Sequence, residues 1–294
     1  MIPWNEIERD IGAATGAAFS IAQRSAAAGG CINAAWRIEG RGRRYFVKVN
    51  EASRAPMFEA EAAGLSELHR RGPVRVPEAI CQGSAAAASW IVLEYIQLGA
   101  RTVRSDAALG LKLAELHRHT AEMYGWPRDN TIGSTPQPNN CSSSWLTFWR
   151  DQRLGFQLRL ARERGYCGKL HTKGTQLLEH VPAFFERYTP APSLLHGDLW
   201  SGNAACDATE TPVIFDPAVY YGDREADIAM TELFGGFSSS FYEAYREAYA
   251  LDPGYAVRKD LYNLYHVLNH LNLFGGGYLR QAERMIDALL AEIR

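Results

Sequence analysis

The run His196-Gly197-Asp198-Leu199-Trp200-Ser201-Gly202-Asn203 is followed by the apolar stretch Val213-Ile214-Phe215, which ends on Asp216. Asp198 and Asn203 are five residues apart, and Asn203 and Asp216 thirteen. A carboxylate, a carboxamide and a second carboxylate on two neighbouring loops is the set that phosphoryl transfer needs. One Asp accepts or orients the attacking hydroxyl, and the Asn oxygen and the second Asp hold Mg²⁺ against the phosphates of ATP. Either carboxylate taken singly could be a turn former; the agreement of several positions favours the chemical reading. Other machines are missing their parts. Gly168-Lys169 is followed by Leu170 and has Glu163 where a phosphate-binding P-loop has its first glycine, and neither G-x-S-x-G nor H-E-x-x-H occurs.

The N-terminal third supplies what such a site needs. Lys48 stands between apolar neighbours in Phe46-Val47-Lys48-Val49, a costly place for an ammonium without a partner. In a kinase its partners are the α/β-phosphates and a helix glutamate. Glu59 and Glu61 both lie on the next helix, and Glu61 sits nearer the face marked by Phe58, Ala62 and Leu65. The competing reading of Lys48 is an edge-strand lysine that blocks aggregation. Gly29 and Gly30 form a turn whose backbone N–H groups could approach phosphates, although a Gly-Gly pair also makes an ordinary hairpin. Cys31 follows in the same electropositive surroundings, which would favour its thiolate; alternatively it is a small strand residue.

The elements that must position these residues come in two kinds. Residues 3–16 have helical spacing, and 19–25, 31–39 and 45–49 read as a three-stranded antiparallel meander. A helix starts at Pro56 and ends at Gly72-Pro73. Residues 74–81 are extended, 83–89 a small-residue loop, and 90–96 a buried strand. The composition then turns helical: a helix capped by Ser105 or Asp106, a loop over 133–144, helices over 145–164 and 175–188, and a mostly helical last 70 residues broken at 252–254 and 275–277. The reading is an α+β chain with a β-rich nucleotide lobe over 1–96 and a larger helical lobe over 97–294.

Composition bounds the rest. The 294 residues are 47% hydrophobic and 22% charged, which excludes bulk disorder. The formal net charge of −2 calls for neither nucleic acid nor an anionic membrane. Five cysteines, Cys31, Cys81, Cys141, Cys167 and Cys206, form no C-x-x-C pair. That argues against a disulfide framework or zinc site and fits a reducing cytosol. No apolar run is long enough to span a bilayer, and the charged start MIPWNEIERDIG does not read as an export signal.

HGDLWSGN, FDPAVYYGDREADIAMTELFGGF, GGCIN, FVKVN, MFEAEAAGL and NLYHVLNHLNLFGGGYL together resemble the fructosamine kinase (ketosamine kinase) family, from about residue 11 to 282. HGD-x-x-x-x-N is common to small-molecule kinases of this kind, the aminoglycoside and choline phosphotransferases included. The Leu199–Gly202 filling and the run from Tyr220 to Glu225 are more specific. The resemblance implies a bilobal protein-kinase-like fold, with a small antiparallel sheet lobe and a larger, mainly helical lobe. It implies ATP-dependent phosphorylation of a ketosamine hydroxyl, typically O3 of a fructosamine or ribulosamine, with deglycation as the consequence. It assigns Asp198 as base, Asn203 and Asp216 as metal ligands, Lys48 and Glu61 as the phosphate-anchoring pair, and Glu94, Tyr95 and Ile96 as the linker that meets adenine. It also implies that Cys31 can form an intermolecular disulfide, so that the chain is a monomer or a redox-linked homodimer. Departures from the protein kinases are HGD for HRD, Pro217 after Asp216, and no G-x-G-x-x-G or APE, so activation-loop control is not expected.

Trp200 either walls the pocket and stacks on a sugar face or packs in the core. His270, with Asn269 and Asn272, either lines the sugar pocket or is an ordinary buried histidine. Asp223, Arg224, Glu225 and Asp227 read as a structural ion-pair and capping cluster holding the metal loop. Two other functions compete: a kinase for an aminoglycoside or choline-type acceptor, for which residues 100–145 offer few acids, and an ATP-binding pseudokinase, against which every kinase role has its residue type.

Overall fold

In the computed structural model, which describes residues 2–27 and 32–293, the alternation of Tyr45, Val47 and Val49 builds the middle strand of an antiparallel sheet. After helix α1 (Trp4–Thr15) come β1 (Gln23–Ala26), β2 (Ala34–Gly40) and β3 (Arg43–Glu51), then α2 (Ala55–Arg71), β4 (Ala79–Ala85) and β5 (Ala88–Glu94). The sheet order is β1-β2-β3-β5-β4. Arg41 and Gly42 at the β2–β3 turn both have positive φ, 52° and 75°, the two-residue turn whose twist matches an antiparallel pair. Because successive strand residues face opposite ways, Tyr45, Val47 and Val49 bury against Ile7 and Ile11 of α1. Phe46 and Lys48 then point to the other face, where α2 lies with Phe58, Leu65 and Leu68.

Three expectations for this half are corrected. The stretch 19–25 is not one strand: only Gln23–Ala26 pairs with β2, and Phe19 is buried beside α1. The 83–89 loop is mostly strand, because β4 and β5 pair from Ala79↔Leu93 to Ala85↔Ala88 around a tight turn at Ala86. Sheet pairing overrides the low strand preference of Ala, Gly and Ser. β5 also ends at Glu94, short of Tyr95 and Ile96.

The chain continues through β6 (Leu98–Gly99), α3 (Val103–Leu116), the hairpin β7 (Asn130–Ile132) and β8 (Thr135–Gln137), α4 (Trp145–Phe148), α5 (Gly155–Glu163) and α6 (Lys169–His180). Then follow β9 (Ser193–Leu195), β10 (Ala204–Asp207), β11 (Pro212–Ile214), β12 (Tyr220–Gly222), α7 (Glu225–Leu233), α8 (Ser239–Ala248), α9 (Tyr255–Phe274) and α10 (Leu279–Glu292). α3 is capped by Thr102, not by Ser105 or Asp106: Thr102 accepts from the Ser105 N–H, and Ser105 accepts from the Thr102 N–H. Asp106 instead accepts from the Ser238 N–H at 2.8 Å. The 133–144 loop contains half of a hairpin. The 145–164 helix carries a π turn over Trp149–Leu154. The 175–188 helix runs from Lys169 to His180, because Pro182 cannot continue the helical hydrogen-bond ladder. Among the described residues no helix is long and apolar enough to cross a membrane.

α9 is the axis of this half. Leu261, Leu264, Val267, Leu268 and Leu271 are fully buried, each worth roughly 1.5–3 kcal/mol of burial. Against this scaffold β9 pairs antiparallel with β12, Leu195 opposite Tyr220, and β10 pairs with β11, Ala204 opposite Ile214. These pairings bring the loop after β9 and the loop before β12 side by side.

Candidate active site

β9 ends on buried Leu194 and Leu195, and the chain turns out at His196 and Gly197. Gly197 has φ +82°, and a Cβ there would lie 2.1 Å from the Ala218 carbonyl oxygen. Only glycine permits this conformation and this approach. His196 is fully buried. Its Nε2–H donates to the Phe215 carbonyl at 3.0 Å, and its Nδ1 accepts from the Asp198 N–H at 3.2 Å. Burial lowers its pKa, which keeps the ring in this neutral tautomer. The histidine thereby stitches the two loops together. Two backbone bonds add to it, Phe215 N–H to Asn203 O at 3.1 Å and Ala218 N–H to His196 O at 2.8 Å.

Asp216 has φ +57°, a left-handed conformation uncommon for a side-chain-bearing residue. Bonds on both sides of it maintain that strain, a pattern typical of functional sites. Its Oδ1 accepts from Lys48 Nζ at 2.6 Å, and the same ammonium donates to Glu61 Oε1 at 2.5 Å. Burial by itself would lower the Lys48 pKa, but Asp216 and Glu61 outweigh it and hold the ammonium above its ordinary value. Asn203 Nδ2 donates to the Asp198 carbonyl at 2.9 Å and to Asp198 Oδ2 at 3.3 Å. The amide nitrogen is thus turned toward Asp198, and Oδ1 remains to accept from, or ligate, another group. Burial, and next the nearby Asp216 charge, push the Asp198 carboxyl up to about 7. A carboxylate tuned to neutrality suits proton exchange with a hydroxyl.

The residues 3–292 match the fructosamine kinase family model. The chain is 46% identical over 289 residues to a probable ketoamine kinase of Synechocystis, covering 98% of this chain and 97% of that one. It is 43% identical to a chloroplastic protein-ribulosamine 3-kinase of Arabidopsis thaliana, covering 95% and 86%. A crystal structure of a candidate fructosamine-3-kinase from Haemophilus somnus superposes with a TM-score of 0.91 at 31% identity, over 98% of this chain and 97% of that one. The chain belongs to the fructosamine kinase family. It is a phosphotransferase with a protein-kinase-like α+β fold.

Other expected site residues of this kinase fall in different surroundings. Gly29, Gly30 and Cys31 lie outside the described residues. Glu94, the last residue of β5, pairs through its side chain with Arg75 at 2.6 Å, and Arg75 also bonds Asp207 at 2.5 Å. Tyr95 lies beside the guanidinium groups of Arg37 and Arg44, at 5.3 and 5.7 Å, and Ile96 follows outside the sheet. Trp200 is 39% exposed, so it is not a core residue. Its ring lies over Gly202, where a Cβ would come within 2.3 Å of it. His270 is half-buried against Phe234 and Phe274, not enclosed in the core as an ordinary packing histidine would be. A cleft of about 600 Å³ opens beside Ser201 and Ala204, bordered by Arg101, Thr102 and Phe237.

The acidic cluster after β12 does more than cap a helix. Asp227 accepts from the backbone N–H groups of His196 and Gly197 at 2.7 and 2.8 Å, so it holds the Asp198 loop, not the Asp216 loop expected from the sequence. Behind it, Arg224 donates to the Tyr245 hydroxyl, Tyr245 donates to His117 Nδ1, and His117 Nε2–H donates to Asp227, at 3.0, 2.8 and 3.2 Å. Asp223 accepts from Tyr188 and Tyr262, and Glu225 pairs with Arg258 at 2.8 Å.

The Asp216 loop has its own support, which sequence reasoning missed. Gln137 Nε2 donates to Ala218 O at 3.1 Å and Asn130 Nδ2 to Val219 O at 2.8 Å. Asn139 links to Asn130, and the fully buried guanidinium of Arg153, on the π turn, donates to Asn139 Oδ1 at 2.6 Å. The π turn is a feature that gathers at functional sites, but no sequence pattern marks it here, so only the structure shows it. Phe234 was also missed, although it stands in the quoted LFGGF segment.

Proposed function

We propose that the protein transfers the γ-phosphoryl group of ATP to a sugar hydroxyl of a ketosamine, O3 of a fructosamine or ribulosamine, and so starts deglycation. The observation that carries this reading is the single Lys48 ammonium bound to both Glu61 and Asp216, with Asp198 and Asn203 on the adjoining loop. Residues 1–96 serve as the nucleotide lobe and 97–294 carry the base and acceptor site. Lys48 takes the α/β-phosphates while Glu61 keeps it oriented; the backbone of Glu94, Tyr95 and Ile96 meets adenine. Asp198 receives the hydroxyl proton as the sugar oxygen bonds to the γ-phosphorus, and the bond from phosphorus to the bridging oxygen breaks to release ADP. Trp200 walls the sugar pocket.

The donor set fits Mg²⁺. Asn203 Oδ1 and the Asp216 carboxylate are hard oxygen ligands. Among the described residues no group of three or more His, Cys, Asp or Glu is placed to hold a metal ion by itself, and Mg²⁺ in such enzymes takes one or two protein oxygens plus phosphates and water. When bound, it neutralises charge on the β- and γ-phosphates. Cys81, Cys141, Cys167 and Cys206 are free thiols, which supports a reducing compartment such as the cytosol.

The test is ADP release with synthetic fructosamines and ribulosamines. We expect turnover, and a loss of about 10²–10⁴-fold in Asp198→Asn. Turnover of aminoglycosides or choline without ketosamines would replace the acceptor class, and wild-type turnover in Asp198→Asn would remove the base.

A further inference from the structure

We propose that an exposed aromatic belt, running from Trp200 through Phe234 and His270 to Phe274 and Tyr278, is the subsite for the amine half of the acceptor: the ketosamine nitrogen and the substituent on it. The proposal rests on the ketosamine reading above and deepens it. Trp200 meets Phe234 edge-on at 6.2 Å between ring centres, Phe234 meets His270 at 5.1 Å, and His270 meets Phe274 and Tyr278 at 5.5 and 5.2 Å. Trp200, Phe234 and Phe274 are 39%, 42% and 53% exposed. Contiguous apolar surface of this kind marks a binding site more than a solvated face.

Three observations choose the occupant. The first is continuity: the belt begins on Trp200, two residues after Asp198, in the loop that holds the proposed base. A ketosamine nitrogen is four bonds from O3, so an acceptor with O3 at Asp198 has its nitrogen within about 5 Å and its substituent farther out. The second is charge. Nδ1–H of His270 donates to the His266 carbonyl at 2.8 Å, which fixes the tautomer and leaves Nε2 as a lone-pair acceptor among aromatic rings. Burial lowers the His270 pKa, so the ring stays uncharged at neutral pH. Ring faces and a lone pair attract a cation, and the secondary amine of a ketosamine is an ammonium. The third is shape: an open stripe, not a closed pocket, accepts a substituent of any length, including the side chain of a glycated lysine on a folded protein.

Phe234 and Phe274 are exposed, so their replacement by Ser spares the core. The experiment measures kcat/KM for 1-amino-1-deoxyribulose and for its N-butyl derivative in the wild type, Phe234→Ser, Phe274→Ser and, as a control elsewhere on the surface, Leu111→Ser. At roughly twofold per partly covered methylene, the wild type and Leu111→Ser should prefer the N-butyl compound about tenfold, mainly through KM. The two belt variants should prefer it less than threefold. In the wild type an ether-linked analogue, uncharged at that atom, should show a raised KM. An unchanged preference in both belt variants overturns the proposal. So does a solution dimer that Phe274→Ser dissolves with the preference intact, which would assign the belt to a second copy. Failure of every ketosamine to turn over overturns the kinase assignment itself, a separate result.

Discussion

Lys48 and Asp216, 168 positions apart in the chain, meet at 2.6 Å, and the ammonium that joins them is also held by Glu61 at 2.5 Å. Lys48 and Glu61 have 8% and 10% of their side chains exposed. The pair that anchors the proposed nucleotide is therefore also a structural element, and removing one partner strands a charge. Lys48→Met should destabilise by about 3–5 kcal/mol in urea unfolding. Combining it with Glu61→Gln should recover most of that loss without recovering activity. A double variant no more stable than Lys48→Met would show that the two groups are not coupled.

Gly197 is a position where one methyl group should separate activity from binding. Its φ of +82° and the 2.1 Å approach to Ala218 O leave a Cβ no room. Gly197→Ala must push the two loops apart, at about 1–3 kcal/mol for the backbone conformation and more for the clash. We expect kcat to fall at least tenfold, with a smaller change in nucleotide affinity measured by thermal shift with ADP. Full activity in Gly197→Ala would mean that the loops can separate without consequence.

Asp227 touches no reacting group in this reading; it positions Asp198 through the His196 and Gly197 amides. Asp227→Asn, with one acceptor oxygen in place of two, should lower kcat by about tenfold or more while KM for the ketosamine stays within about twofold, a split expected when transition-state interactions alone are lost. Equal effects on both would place Asp227 in substrate binding.

The buried histidines should each weaken the fold toward acid. An unfolded histidine titrates near 6.5. His117, His196, His266 and His270 are all held below that, with burial the largest cause in each, and His266 lies at about 3. These residues cost the fold nothing above about pH 6.5, where both states are neutral. As the pH falls below that value the unfolded chain takes up histidine protons that the folded chain refuses, so the histidine contribution to stability drops. Each histidine that stays neutral contributes about 1.4 kcal/mol per pH unit. The Asp227 carboxyl is held below its ordinary value, so its stabilising effect adds a further loss only at lower pH. Asp198 and Glu225, both pushed up to about 7 by burial, act in the opposite direction over this window, because the folded chain takes up their protons first. The histidine share is therefore read as a difference: in urea unfolding at pH 7.5, 6 and 5, His266→Gln should lose less stability toward acid than the wild type, by one histidine's share. An identical slope in that variant would mean that His266 does not titrate on unfolding.

The sequence by itself determined which residues are proposed for the chemistry. HGD-x-x-x-x-N and the following apolar run name Asp198, Asn203 and Asp216, because phosphoryl transfer demands those side-chain types on adjoining loops. Lys48 was legible because an ammonium in an apolar strand needs partners. Glu61 stood out from Glu59 because helical spacing put it nearer the face marked by Phe58, Ala62 and Leu65. A local signal likewise marked the start of α2, where Pro56 stands in the first turn after Ala55.

Only the tertiary structure decided what supports those residues, because the support comes from partners distant in the chain. Ala79–Ala85 is a strand through its pairing with β5, not through its own preference. Thr102 became the cap of α3 when Asp106 was engaged by Ser238. Asn130 and Gln137 hold the Asp216 loop, with Arg153 behind them on Asn139, from a stretch where the sequence reading placed no site residue, since a buried amide bonded to a remote carbonyl leaves no period or spacing. Phe234 joins Trp200 to His270 for the same reason: ring contact depends on where three separate elements are packed, and that packing is set by the whole core around α9.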